Sequence, residues 1–138
     1  MPVTLTRTVG FRAVHRLYRP DWSEARNREA FGALSDPPGH AHDYRCAVTV
    51  AGPAVPPLAM ILDLGELDRI LQEEVVAPLD GKHLNHDVPA LAGTIPTCEA
   101  LAKEVFRRLR DRLPAGVMLR QVRIMEDPTL YADCTGID

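Results

Sequence analysis

The sequence predicts an α+β domain, an antiparallel sheet of four strands with two helices on one face. Apolar and polar residues alternate near both ends of the chain, and between them lie two stretches whose apolar residues recur with helical spacing. A chain of 138 residues is also long enough to bury one core of ordinary size.

The elements follow in order. Residues 4–17 place Phe11, Ala13, His15 and Leu17 on one side and Arg12, Val14 and Arg16 on the other, the period of a strand. From Pro20 to Gly39 the period fails and Pro, Asp, Ser and Gly accumulate, which predicts a long loop with a short helical turn over 23–31. "YRCAVTVAG" at 44–52 is rich in β-branched and apolar residues and predicts the second strand. "LAMILDLGELDRILQEEV" begins as a short extended piece to Asp63 and becomes an amphipathic helix through Leu67, Ile70 and Leu71, stopped at Pro78.

An irregular polar segment starts at Asp80. Thr97 is then a helix N-cap, and Leu101, Val105, Phe106 and Leu109 form an apolar stripe before Pro114. "GVMLRQVRIMED" alternates as the third strand, and "TLYADCTG" beyond Asp127-Pro128 gives the fourth.

Sixteen basic and nineteen acidic residues leave a formal net charge of −3, with no basic run that tracks a phosphate backbone, so nucleic acid is not an expected partner. Arg7, Arg12, Arg16, Arg19, Arg26 and Arg28 lie close in sequence; they suit either a solvated face or a small anionic ligand. No apolar run of about 18 residues predicts a membrane span, and the start does not read as a leader, so a cytoplasmic protein is expected. Cys46, Cys98 and Cys134 are odd in number and far apart, which predicts free thiols in a reducing compartment.

His40 and His42 stand two apart at the start of the second strand, and His15 closes the first. If these strands pair antiparallel, all three imidazoles gather at one end of the sheet. Three neutral imidazoles with a vacant fourth position are the donor set of a catalytic zinc ion.

These residues also carry a resemblance. "FRAVHRL" is similar to the F-x-A-x-H-x-L strand, and "FGALSDPPGHAHDY" to the FGKC-x-x-P-x-GHGHNY loop, of the 6-pyruvoyltetrahydropterin synthase and 6-carboxytetrahydropterin synthase family. The likeness continues through "MILDLGELDRIL", "PLDGKHLNHDVP", "PTCEALA" and "RIMED". It implies a tunnelling fold assembled as a homohexamer of two stacked trimers, with Zn2+ held by His15, His40 and His42. It implies a lyase acting on 7,8-dihydroneopterin triphosphate or a related dihydropterin, with Glu126 receiving the pterin edge and Thr97 and Glu99 lining its pocket.

The sequence departs from that family at the acid/base machinery. Leu34 stands where the resemblance places a catalytic cysteine. Asp80 is retained, but Gly81 replaces the histidine beside it. The remaining candidates for a base are His83, Cys98 and Asp36, with His86 close to His83. Two readings follow: a lyase with a non-standard base, or a pterin-binding homologue that keeps zinc but has lost catalysis.

Overall fold

The computed structural model describes residues 3–137. The first strand, β1 (Val3–His15), pairs antiparallel with β2 (His40–Gly52) along its whole length. β4 (Met118–Asp127) pairs with the other edge of β2, and β5 (Leu130–Cys134) returns along β4. Between Asp80 and Leu84 the chain adds a two-residue strand, β3 (Lys82–His83), parallel to β1 at Ala13 and Val14. The strand order is β3-β1-β2-β4-β5, five strands in a mixed sheet in place of four antiparallel ones. Local pattern cannot announce β3, because it is fixed by two backbone bonds to β1: Gly81 N–H to Arg12 O and Leu84 N–H to Val14 O, both 2.7 Å.

Each of the three longer helices opens on a side-chain cap. Ser23 accepts from Arg26 N–H at 3.1 Å to open α1 (Glu24–Phe31), and Asp63 accepts from Glu66 N–H at 2.9 Å to open α2 (Leu64–Leu71). The helix does not stop before Pro78. It widens into a π turn over Gln72–Val76 and finishes as α3 (Ala77–Leu79), with Pro78 just past the widened turn and one residue before the helix ends. Thr97 caps α4 (Cys98–Leu109), its Oγ1 accepting from Ala100 N–H at 3.2 Å. The extended piece expected before Asp63 is reduced to a single bridge between Val55 and Met60, in a Pro-rich stretch poor in donors.

One face of the sheet carries the core. Phe11, Ala13, Tyr44, Cys46, Val48, Val50, Val122 and Ile124 are buried against Leu67, Ile70, Leu71 and Val75 and against Leu101, Val105 and Leu109 of α4. Two carboxylates in the π turn tie the helices together. Glu74 accepts from Arg108 Nε at 3.2 Å and from Arg112 Nη1 at 2.6 Å, and Glu73 from Arg112 Nη2 at 3.3 Å. The packing therefore fixes β1, β2 and the start of α4 relative to one another, and these three elements carry the site described next.

Candidate metal centre

The β1–β2 register decides the site. His15 faces His40, Ala13 faces His42 and Phe11 faces Tyr44, so the alternation of both strands sends His15, His40, His42 and Tyr44 to the helix-covered face. The three imidazoles are nearly perpendicular to one another, at 73°, 80° and 88°, with ring centroids 4.6–5.0 Å apart. One donor atom from each lies within 4.8 Å of the others.

Gly39 sets the approach. Its φ is +118°, and a Cβ built there would stand 2.6 Å from His15 O, so glycine lets the incoming loop touch the end of β1.

His15 is 1% exposed, and its Nδ1–H donates to Pro96 O at 2.8 Å, because a carbonyl can only accept. That bond fixes the tautomer and leaves the Nε2 lone pair free; buried His15 Nε2 has no hydrogen-bond partner among the described residues. His42 Nε2 is likewise buried and unpaired. Buried nitrogens without partners are costly, and a metal ion is what this donor set fits. Burial pushes His15 and His40 below the ordinary imidazole range, and neighbouring histidines add to the shift, so both rings stay neutral and able to ligate near pH 7.

Glu126, near the end of β4, reaches this cluster. Its Oε2 lies 3.1 Å from His42 Nε2, off the line along which that ring would donate, so the two are close without a hydrogen bond. Its Oε1 accepts from Cys98 Sγ–H at 3.3 Å. Burial and then the Glu126 contact push the Cys98 thiol up to about 12, opposite to the lowered value a thiolate base requires. Tyr44 is a member of the site that the residue types did not flag. Its hydroxyl is buried and without a partner among the described residues, its ring centroid is 5.4 Å from that of His42, and burial pushes its phenol far up, so it is a donor. Continuing the i, i+2 spacing of His40 and His42 by one more step would have found it.

The other sequence candidates lie elsewhere. His83 Nε2–H donates to Pro38 O at 2.7 Å and its Nδ1 accepts from Asn85 N–H at 3.3 Å, with His86 stacked on it at 4.3 Å; both ring nitrogens are engaged, Nε2 in holding the loop before His40. Asp36 pairs with Arg28. Asp80 Oδ1 accepts from Arg12 N–H at 2.9 Å. Leu34 is 48% exposed, and its carbonyl accepts from Leu17 N–H at 2.9 Å. Gly81 has φ +73° with open space where a Cβ would point. Thr97 Oγ1 is spent on its cap, and Glu99 is exposed on the first turn of α4.

The N-terminal arginines do not converge on an anion site. Arg7 forks onto Asp68, Arg12 meets Asp43, Arg19 forks onto Asp21, Arg16 lies over Tyr18 and Arg26 over Trp22.

Comparison with known proteins agrees with this geometry. The family model for 6-pyruvoyl tetrahydropterin synthase matches residues 4–136. The 6-pyruvoyl tetrahydrobiopterin synthase of Homo sapiens is 36% identical over 122 residues, covering 88% of this chain and 83% of that one. The Drosophila melanogaster protein of the same name is 37% identical over 124 residues, covering 90% and 74%. The solved 6-pyruvoyl tetrahydropterin synthase of Caenorhabditis elegans superposes with a TM-score of 0.91 at 30% identity, covering 99% of this chain and 97% of that one. A register that gathers three histidines, a carboxylate beside them and a match across nearly the whole length place this chain in the 6-pyruvoyl tetrahydropterin synthase family.

Proposed function

We propose that this chain is a zinc-dependent, pterin-processing lyase acting on 7,8-dihydroneopterin triphosphate or a related dihydropterin. The observation that carries the reading is the convergence of His15, His40 and His42, two of them with unpaired buried Nε2 atoms, beside the Glu126 carboxylate. A zinc ion held there would act as a Lewis acid toward the hydroxyls of the substrate side chain. Glu126 offers a carboxylate able to accept two parallel hydrogen bonds from the guanidine-like edge of a pterin, and Tyr44 offers a buried donor.

The general base is the weak part of the machinery. Leu34 cannot accept a proton, Gly81 has no side chain, His83 is engaged through both nitrogens, and Cys98 is held protonated. Those four observations favour, as a second reading, a homologue that binds a dihydropterin without turning it over. General acid–base help is worth ~10²–10⁴ in rate, so a lyase relying on the metal alone is slow and not absent.

Assembly into a homohexamer is part of the proposal. β3 covers β1 only at Ala13 and Val14, and β5 is the other end of the sheet, so both edges offer backbone groups to neighbouring copies. The three free cysteines suit a reducing cytoplasm.

Zinc-loaded protein incubated with dihydroneopterin triphosphate and with dihydroneopterin tests the reading. Release of triphosphate or of a side-chain fragment above buffer, abolished by His40→Ala, is the expected result. Tight binding with no turnover would select the binding homologue, and neither binding nor turnover would remove the pterin assignment.

A further inference from the structure

We propose that His83 and Asn85 are positioning residues of the metal centre: one short segment on the sheet edge clamps the two backbones that carry His15 and His40. The inference rests on the metal reading above and places no further group on the ion.

The need for a clamp comes from the register. His15 and His40 face each other on the last rung of the β1–β2 ladder, so two of the three ligands stand where a strand pair frays most readily. Past that rung Gly39 turns the chain away at a φ of +118°, and Arg16 has no strand partner among the described residues.

Segment 83–85 closes that end from the side. Leu84 N–H donates to Val14 O at 2.7 Å, one residue before His15. One residue after it, the Asn85 amide takes both backbone groups of Arg16, its Oδ1 accepting from Arg16 N–H at 2.8 Å and its Nδ2 donating to Arg16 O at 2.9 Å. That side chain does for Arg16 what a neighbouring strand does for a residue in the ladder. The His83 ring reaches the other ligand-bearing backbone, Nε2–H donating to Pro38 O at 2.7 Å, two residues before His40. The ring is itself held, because its Nδ1 accepts from Asn85 N–H at 3.3 Å and His83 N–H donates to Asp87 Oδ2 at 2.9 Å. Leu17 N–H also grips the loop, but further back, at Leu34 O. His15 and His40 are thus tied to each other twice, once through the ladder and once through His83 and Asn85. Loosening the second tie lets the last rung open, and an opened rung releases the ion.

Zinc affinity and the rate of zinc loss to excess chelator, read beside Tm of the metal-free protein, test this. His83→Leu and Asn85→Asp should each weaken zinc binding at least about tenfold, mainly through faster loss, with little change in Tm. The first keeps bulk without the donor, and the second keeps the shape but sets a carboxylate oxygen against Arg16 O. His83→Gln, which keeps an N–H for Pro38 O, should restore slow loss. Hydrogen exchange of the metal-free wild type needs no variant: the Arg16 amide should exchange as slowly as the paired amides of β1. An Arg16 amide that exchanges like an unpaired loop amide overturns the clamp, and so does His83→Gln losing zinc as fast as His83→Leu. Wild-type affinity and loss rate in His83→Leu and Asn85→Asp, alongside lost binding in His40→Ala, overturns the clamp and leaves the three-histidine site standing. Wild type that binds no zinc while its Arg16 amide is protected overturns the metal reading, and the positioning role with it.

Discussion

Replacing Gly39 with alanine is expected to dismantle the metal centre from outside it. The new Cβ would stand 2.6 Å from His15 O, 3.1 Å from His15 C and 3.2 Å from Val14 Cγ1, against an ordinary contact that begins near 3.4 Å. Two of these neighbours are backbone atoms of β1, which is pinned along its whole length to β2 and cannot give way as a flexible side chain would. The backbone is opposed as well, since φ at +118° is a region that residues with a Cβ rarely adopt, at a strain of about 1–3 kcal/mol.

Adding the overpacking gives a total cost of about 2–4 kcal/mol, which in a domain of this size lowers Tm by on the order of 10 °C. The chain can relieve the clash only by moving position 39 away from His15, and the next residue is His40. Metal affinity should therefore fall at least about tenfold together with Tm. Calorimetry of the metal-free protein and a zinc-competition titration measure the two effects. A Gly39→Ala variant with wild-type Tm and affinity would refute the claim that this glycine sets the spacing of the two histidines.

Other expectations follow from the same coordinates. His15 and His40 have folded-state values below the ordinary 6.5, so the unfolded chain takes up protons first; stability of the metal-free protein is full above about 6.5 and is lost as pH falls through the folded values, read from Tm against pH. Zinc affinity should fall over the same window, because protons compete for the same nitrogens. Glu74→Ala removes the acceptor of both Arg108 and Arg112 and should cost about 1–2 kcal/mol in denaturant unfolding with no change in zinc binding. Installing the acid/base pair that the family resemblance implies, as Leu34→Cys with Gly81→His, should raise triphosphate release at least about tenfold. The histidine there finds open space but a φ of +73°, at a stability cost of about 1–2 kcal/mol; no gain in rate would show that the chain has lost more than its base.

The parts of the fold legible in the sequence are those fixed by local chemistry. Strand alternation placed Phe11, Ala13 and His15 on one face, and the Thr97 cap located the start of α4. The meeting of His15 with His40 and His42 was expected only if the first two strands pair antiparallel, and the register of β1 on β2 is the pairing required. What stayed hidden depends on distant partners. β3 is two residues long and exists through its bonds to Arg12 and Val14, and Pro78 is tolerated because a π turn precedes it.

At the site, the residue types pointed to the three histidines, but no spacing rule places Cys98 against a carboxylate 28 positions away or turns that carboxylate toward His42. His83 looked like a spare base because it is a loop histidine near Gly81. Its ring instead clasps the carbonyl of Pro38, a contact 45 positions distant.

The central claim is that three histidines from paired strands hold a metal against which a dihydropterin is presented by Glu126. A crystal structure of the zinc-loaded protein with 7,8-dihydroneopterin, phased with anomalous data at the zinc edge, tests it most directly. The account predicts one anomalous peak bounded by His15, His40 and His42, with the pterin edge on the Glu126 carboxylate. A zinc peak away from these histidines, or a pterin seated without Glu126, would contradict it.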